Sequence, residues 1–372
     1  MLLNTFSYFM TCKLQLVVVL LTIPLAFTYA QPWIWELSRP GSFNVGYQTV
    51  TSKSFGRPFD SSPLTERILP IHVWYPTTAN KKTVMKFIDF VNAERNNNWR
   101  SQSAIEILQE NVLPFTDSFH VVTKVKKLES MPTHSIFKAQ PADGKFPLVF
   151  MGSGLSSPGF IYTLLAEYLV SHGYVVASMP SLPENTNTMF SFNERGVLNQ
   201  ISDTEMAMDA IIRLAFVDSE RIVLAGWSLG GASQILFQMK HRIAKAIVSL
   251  DAASQYTYGK DLISKSVYYD TAAFETPFLN VTAAGPARYN VQRSTFFFDS
   301  LVSVKKQVTF PGLAHSDVLS LSQYVNWVER SKPRTKESFE KMCNVVLLFL
   351  NSQLTDQPNM RALLDAVPEV IE

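Results

Sequence analysis

Arg221-Ile222-Val223-Leu224-Ala225-Gly226-Trp227-Ser228-Leu229-Gly230-Gly231 is the stretch on which the fold turns. Its first five residues are apolar and partly β-branched, the composition of a strand buried on both faces. The residues that follow, Ala232-Ser233-Gln234-Ile235-Leu236-Phe237-Gln238-Met239, lack Pro and Gly and read as a helix. Between strand and helix stands Gly226-x-Ser228-x-Gly230, the pattern of a nucleophile elbow. There the glycines tolerate close backbone approach and the serine hydroxyl projects above the sheet edge. The N–H groups opening the helix would favour negative charge developing beside Ser228. An ordinary Gly-rich turn can carry the same five residues; the strand and helix around them make Ser228 a candidate nucleophile.

Outward from the elbow, strand and helix patterns alternate. Upstream, Pro70–Pro76 reads as a strand within a β-rich entry, and Phe146–Met151 as a buried strand running into Gly152-Ser153-Gly154-Leu155. Phe160–Val170 reads as a helix, Gly173–Ser178 as the next strand, and Ser202-Asp203-Thr204-Glu205 as a capping box that starts a helix through Ala215. Downstream, Ala246–Asp251, Pro277–Val281 and Gln307–Phe310 read as strands and Thr335–Asn351 as a terminal helix. This alternation predicts a mostly parallel α/β sheet with helices on both faces. Two stretches depart from it. Lys81–Thr116 carries Met85, Phe87, Phe90 and Val91, then Ile105, Ile107, Leu108 and Val112, at helical spacing, which predicts an inserted helical pair, either a partial cap or a surface excursion without function. Val121–Pro141 reads as a further strand region.

Composition sets bounds on function. With 47% hydrophobic and 17% charged residues and a net charge of +2, the chain is that of a folded protein without the basic patch of a nucleic-acid binder. There is no C-x-x-C and no clustered histidine, so neither a metal nor another cofactor is expected. At the N-terminus, Lys13 precedes an apolar run, Leu14–Phe27, and Thr28-Tyr29-Ala30 offers small residues where a signal peptidase reads. The run is broken by Pro24 and falls short of the about 20 residues that a membrane span needs. The expected organisation is a signal peptide over 1–30 and one domain over 31–372, secreted or periplasmic. Cys12 would leave with the signal. Cys343 remains alone among apolar neighbours as an inert thiol.

A serine nucleophile needs a base, and the base needs an orienting carboxylate. On an elbow of this kind both follow the serine in the chain. Only His241 and His315 do so. His241 lies in the basic end Lys240-His241-Arg242 of the elbow helix, whereas His315 sits in a loop just past the last strand, where the base belongs. For the acid, Thr276–Phe298 contains no Asp or Glu, which empties the position after the strand next but one. Asp299 lies well past that strand, and Asp317 is too near His315 in sequence to turn its carboxylate onto the ring. Asp251, ending a buried strand, remains. The two backbone donors for an oxyanion are expected from Leu229 and from Leu155, with Gly154 as the fallback.

With these residues in place the chain resembles the platelet-activating-factor acetylhydrolase and dienelactone-hydrolase-like esterases. The likeness runs through Phe146–Val149, Ser171–Ala177, Val217–Ile222, Gly226–Ala232 and Leu250–Ala252, within about Pro70–Val318. It implies an α/β-hydrolase fold and calcium-independent cleavage of a short acyl or phospholipid-like ester. It also implies the triad Ser228, Asp251 and His315 and the oxyanion donors Leu155 and Leu229. Two departures bear on the substrate: Ser153 stands where that family has histidine, and Trp227 stands where histidine is more usual. Other readings of the same residues are a cutinase-like polyester hydrolase, an acyltransferase and a non-catalytic binding protein. The expected partner is a small-molecule or lipid ester, with interfacial contact with lipid suggested by Tyr256-Thr257-Tyr258, Tyr268-Tyr269 and Phe296-Phe297-Phe298. For the targeting segment, N-terminal sequencing of exported material should find Gln31 first; an intact Leu14–Phe27 segment in the membrane fraction would instead mean an anchor.

Overall fold

The computed structural model describes residues 40–54, 66–80, 83–95, 103–112, 121–184, 192–285, 292–329, 333–355 and 359–371. The expected signal segment, Cys12 and parts of the insertion lie outside these residues.

Among the described residues nine strands form one sheet: β1 (Asn44–Ser54), β2 (Arg67–Thr77), β3 (Ser135–Phe137), β4 (Phe146–Gly152), β5 (Val175–Met179), β6 (Val217–Ser228), β7 (Ala246–Ala252), β8 (Phe278–Ala283) and β9 (Lys305–Phe310). Their order is β3-β1-β2-β5-β4-β6-β7-β8-β9. From β5 to β9 every neighbouring pair is parallel; β2 runs antiparallel to both β1 and β5. The central strands β4, β5, β7 and the stretch Ile222–Gly226 of β6 are almost continuously apolar because helices cover both their faces.

Eleven α-helices are described: α1 (Phe87–Arg95), α2 (Ala104–Val112), α3 (Val121–Glu129), α4 (Thr163–Ser171), α5 (Glu194–Ile211), α6 (Leu229–His241), α7 (Thr257–Ser264), α8 (Phe296–Ser300), α9 (Ser320–Glu329), α10 (Pro333–Leu354) and α11 (Met360–Asp365). Val197, Ile201 and Met208 of α5 and Ile235, Leu236 and Phe237 of α6 join Ile71, Val73, Phe150 and Leu224 in one buried cluster. The insertion packs elsewhere. Phe87 and Phe90 of α1 are fully buried against Phe160, Tyr324, Tyr47 and Trp74.

Two local expectations are corrected. Residues 121–141 hold helix α3 and only the three-residue strand β3, because Val121, Val125 and Leu128 recur at helical rather than alternating spacing. The helix expected to start at Ser202 starts at Glu194. Asn193 caps it by accepting from the Gly196 N–H, and Ser202 and Asp203 are interior to the helix. Ser202 instead bonds back to the Leu198 carbonyl. Asp203 is committed to a buried partner: Arg67 donates to its carboxylate at 2.6 and 2.5 Å, and also to the carbonyls of Pro183 and Glu184. Both side chains are essentially inaccessible. Removing one member of such a pair strands the other charge, so Arg67→Met should lower the unfolding free energy by about 3–5 kcal/mol in denaturant titration. Arg67→Met with Asp203→Leu should recover most of that loss.

Candidate active site

The register of the sheet brings the predicted residues to one edge. Gly152 at the end of β4 is level with Gly226, and Ser228 at the end of β6 is level with Ala252 of β7. Ser228 has φ 54° and ψ −127°, a conformation that L-residues avoid and that marks a sharply turned junction. Asp251 and Ser156 also have positive φ, so three of the five non-glycine residues of that kind among the described residues surround this edge. The turn is possible because backbones touch. A Cβ on Gly230 would lie 2.1 Å from the Gly152 carbonyl oxygen, which only glycine avoids.

Asp251 meets His315 here. His315 Nδ1 lies 2.6 Å from Asp251 Oδ2, across 64 positions of sequence. That bond occupies Nδ1 and leaves Nε2, the nitrogen a serine proton would reach, outside the pair. The indole of Trp227, next to Ser228, packs on the His315 ring at 4.8 Å and donates from Nε1 to the His315 carbonyl. The elbow and the loop after β9 are thereby held together. Ser228 is nearly buried, 9% exposed.

Around the acid the structure adds two residues to which the sequence reading gave no part in the site. The Tyr256 hydroxyl donates to Asp251 Oδ2 at 2.5 Å, and Arg293 donates to Oδ1 at 2.9 Å. The Ala283 N–H donates to Oδ1 as well. Arg293 also meets the Ala283 carbonyl, and its guanidinium lies over the Tyr256 ring at 4.9 Å. Burial alone would push the Asp251 carboxyl up. The bond and charge of His315, then the charge of Arg293 and the Tyr256 bond, outweigh burial and hold it below the ordinary aspartate range. Burial and the Asp251 charge push the Tyr256 phenol up, which keeps it a donor. Tyr256 belongs to an aromatic stretch already noted; no spacing rule leads to Arg293, which reaches Asp251 through tertiary structure alone.

The other candidates separate. His241 bonds Glu205, beside Lys240, and is a helix-end residue away from the elbow. Asp317 accepts from the Ala314 N–H and from the Ser322 hydroxyl, so it shapes the His315 loop without touching the ring. Cys343 is buried, and burial pushes its thiol well up, away from reactivity.

Leu229 is the first residue of α6, and Leu155 lies in the loop after β4. That loop presses on the elbow, since a Cβ on Gly154 would meet the Trp227 ring at 2.4 Å and Ser228 Cβ at 3.3 Å. Tyr162 ties the two together by donating to the Gly152 carbonyl and accepting from the Trp227 N–H. Ser153 donates to the Met179 and Pro158 carbonyls, and the Ser153 carbonyl accepts from Gln200. Leu155 and Leu229 line a shallow cleft with Ser181, Leu182, Arg195 and Asn199. Beside it, half-exposed Phe192 packs edge-on to Tyr258, which stacks on Tyr256. Such a site offers a serine on a strained turn, an imidazole with an ionised partner, helix-terminal N–H groups and an apolar wall.

No family model matches the sequence, and no curated protein matches it. Among solved structures the chain is similar to the ferulic acid esterase from Streptomyces cinnamoneus, with a TM-score of 0.61 and 19% identity, over 88% of this chain and 94% of that one. The acylaminoacyl peptidase of Pyrococcus horikoshii is a weaker likeness, with a TM-score of 0.44 and 17% identity over 59% and 39% of the two chains. Together with the strand order and the elbow, the first likeness shows that this chain has the α/β-hydrolase fold.

Proposed function

We propose that the protein is a serine hydrolase that cleaves a carboxylic ester through an acyl-enzyme. The observation that carries this reading is the 2.6 Å pairing of Asp251 with His315, held against an elbow whose serine has φ 54°. Ser228 attacks the ester carbonyl and gives its proton to His315. Asp251 holds the imidazole in the required tautomer and stabilises the imidazolium. The N–H groups of Leu155 and Leu229 receive the oxyanion. His315 then returns the proton to the leaving alcohol, and a water, activated in the same way, releases the acid. No metal or other cofactor enters the scheme.

The substrate class we propose is a short acyl or phospholipid-like ester, for which the aromatic row Phe192, Tyr258, Tyr256 offers an apolar surface. Kinship of fold with an esterase of ferulic acid supports an ester as the bond cleaved. Export with removal of residues 1–30 remains part of the proposal, as does contact with a lipid surface.

Ser228→Ala should fold normally and lose several orders of magnitude of esterase activity on p-nitrophenyl esters, and an organophosphate should label Ser228 stoichiometrically in the wild type. Labelling of another serine, or substantial activity in the alanine variant, would remove Ser228 from the mechanism. Asp251→Asn should retain the fold and lower kcat by about 10³–10⁴, because it leaves the imidazole in the wrong tautomer. Asp299→Asn and Asp317→Asn should each cost about tenfold or less. If Asp299→Asn proves the crippling change, the acid has been misassigned.

A further inference from the structure

Helix α1 of the insertion ends near a buried carboxylate that the proposed mechanism does not use. Glu94 is 3% exposed. Its Oε2 accepts from the Gly159 N–H at 2.7 Å and lies 3.0 Å from His72 Nε2. The other ring nitrogen of His72 lies 2.7 Å from the Tyr47 hydroxyl, and both of these side chains are fully buried. Strands β1 and β2 and the insertion therefore converge on a single backbone N–H. A buried polar contact of this kind is weak evidence for stability, because desolvation offsets most of the attraction. What it does supply is a fixed position.

The position is that of the loop carrying Leu155. Gly159 follows it by four residues and opens the short turn Gly159–Tyr162, whose last residue grips Gly152 and Trp227. On the β4 side the loop is tied by Ser153 to Met179 and Gln200. On the far side the Gly159 N–H tie to Glu94 answers it. No side chain fits at Gly159, where a Cβ would stand 2.7 Å from His72 Cδ2 and 3.1 Å from the Met179 carbonyl carbon. The loop is thus seated on the histidine and strung from the glutamate.

We propose that Glu94 is a positioning residue for the oxyanion loop, so that the insertion braces this part of the active site from behind. The inference rests on the esterase reading above for its kinetic consequences, but not for its structural one. A displacement of about 1 Å at a reacting group can cost a hundredfold in rate. Glu94→Leu should therefore lower kcat about 10- to 100-fold on a p-nitrophenyl ester and leave KM within about threefold. An alkylboronic acid, which forms a tetrahedral adduct on a serine, should bind more weakly by the same factor as kcat falls. Glu94→Gln, which keeps an oxygen acceptor for the Gly159 N–H, should recover most of both. Hydrogen exchange over residues 152–160 should quicken in Glu94→Leu while that of helix α6 does not change. Should Glu94→Leu fail to fold, Glu94→Asp, a methylene short, should show the same losses at reduced size. A kcat within threefold of wild type in a folded Leu variant, an undiminished boronate affinity, or unchanged exchange at 152–160 in both variants would overturn the proposal. Absence of esterase activity in the wild type, with Ser228 unlabelled, would instead overturn the catalytic reading, and the exchange measurement would still decide the role of Glu94.

Discussion

The contact between the first turn of α6 and the end of β4 constrains everything else at the active edge. Gly230 approaches the Gly152 carbonyl so closely that no side chain can stand there. That approach lets the chain reverse from strand to helix within a residue, at the cost of an unfavourable φ at Ser228. A single strained residue of this kind costs on the order of 1–3 kcal/mol and persists only where its surroundings dictate it. Here the surroundings are a nine-stranded sheet, among the described residues, and buried helices on either side.

The carboxylate of Asp251, the acid of the proposed triad, is held as firmly as Ser228, by different means. Asp251 is buried, and an unpaired carboxylate there would be untenable. Four donors meet it: the His315 ring, the Tyr256 hydroxyl, the Arg293 guanidinium and the Ala283 N–H. Two of these, Ala283 at the end of β8 and Arg293 in the segment that follows, come from the region that would more usually supply such an acid. That segment supplies no carboxylate in this chain. It supplies a cation and an N–H to a carboxylate one strand earlier, so the same region supports the acid it does not provide.

The third anchored element is the loop carrying Leu155, gripped through Ser153 and Tyr162 on one side and Gly159 on the other. Its partners come from β5, α5, the elbow and the insertion. The inserted helices thus contribute more than added surface: Phe87 and Phe90 seal one face of the sheet, and Glu94 reaches through to the loop.

Local and short-range patterns are what the sequence by itself determined. The apolar run before Gly226 and the Gly-free run after Gly231 predicted the strand and helix, because burial and helix propensity act on neighbours in the chain. The alternation of such segments predicted a mostly parallel α/β sheet. Elimination among the few carboxylates and histidines after Ser228 selected Asp251 and His315, which the structure brings to 2.6 Å. Where two local patterns competed, sequence reasoning failed. Val121–Glu129 carries enough valine to suggest a strand, but Val121, Val125 and Leu128, the last two of them buried, stand three to four positions apart. Ser202–Glu205 has the form of a helix start, but the helix begins eight residues earlier and Asp203 serves Arg67 (202 − 194 = 8). Only the tertiary structure decided the rest. Arg293 on Asp251, Tyr162 between Gly152 and Trp227, and Glu94 on the Gly159 N–H all join residues 42 or 65 positions apart, or tie two such segments at once. No periodicity encodes such pairs; they exist because packing the helices onto the sheet leaves polar groups that must be satisfied away from water.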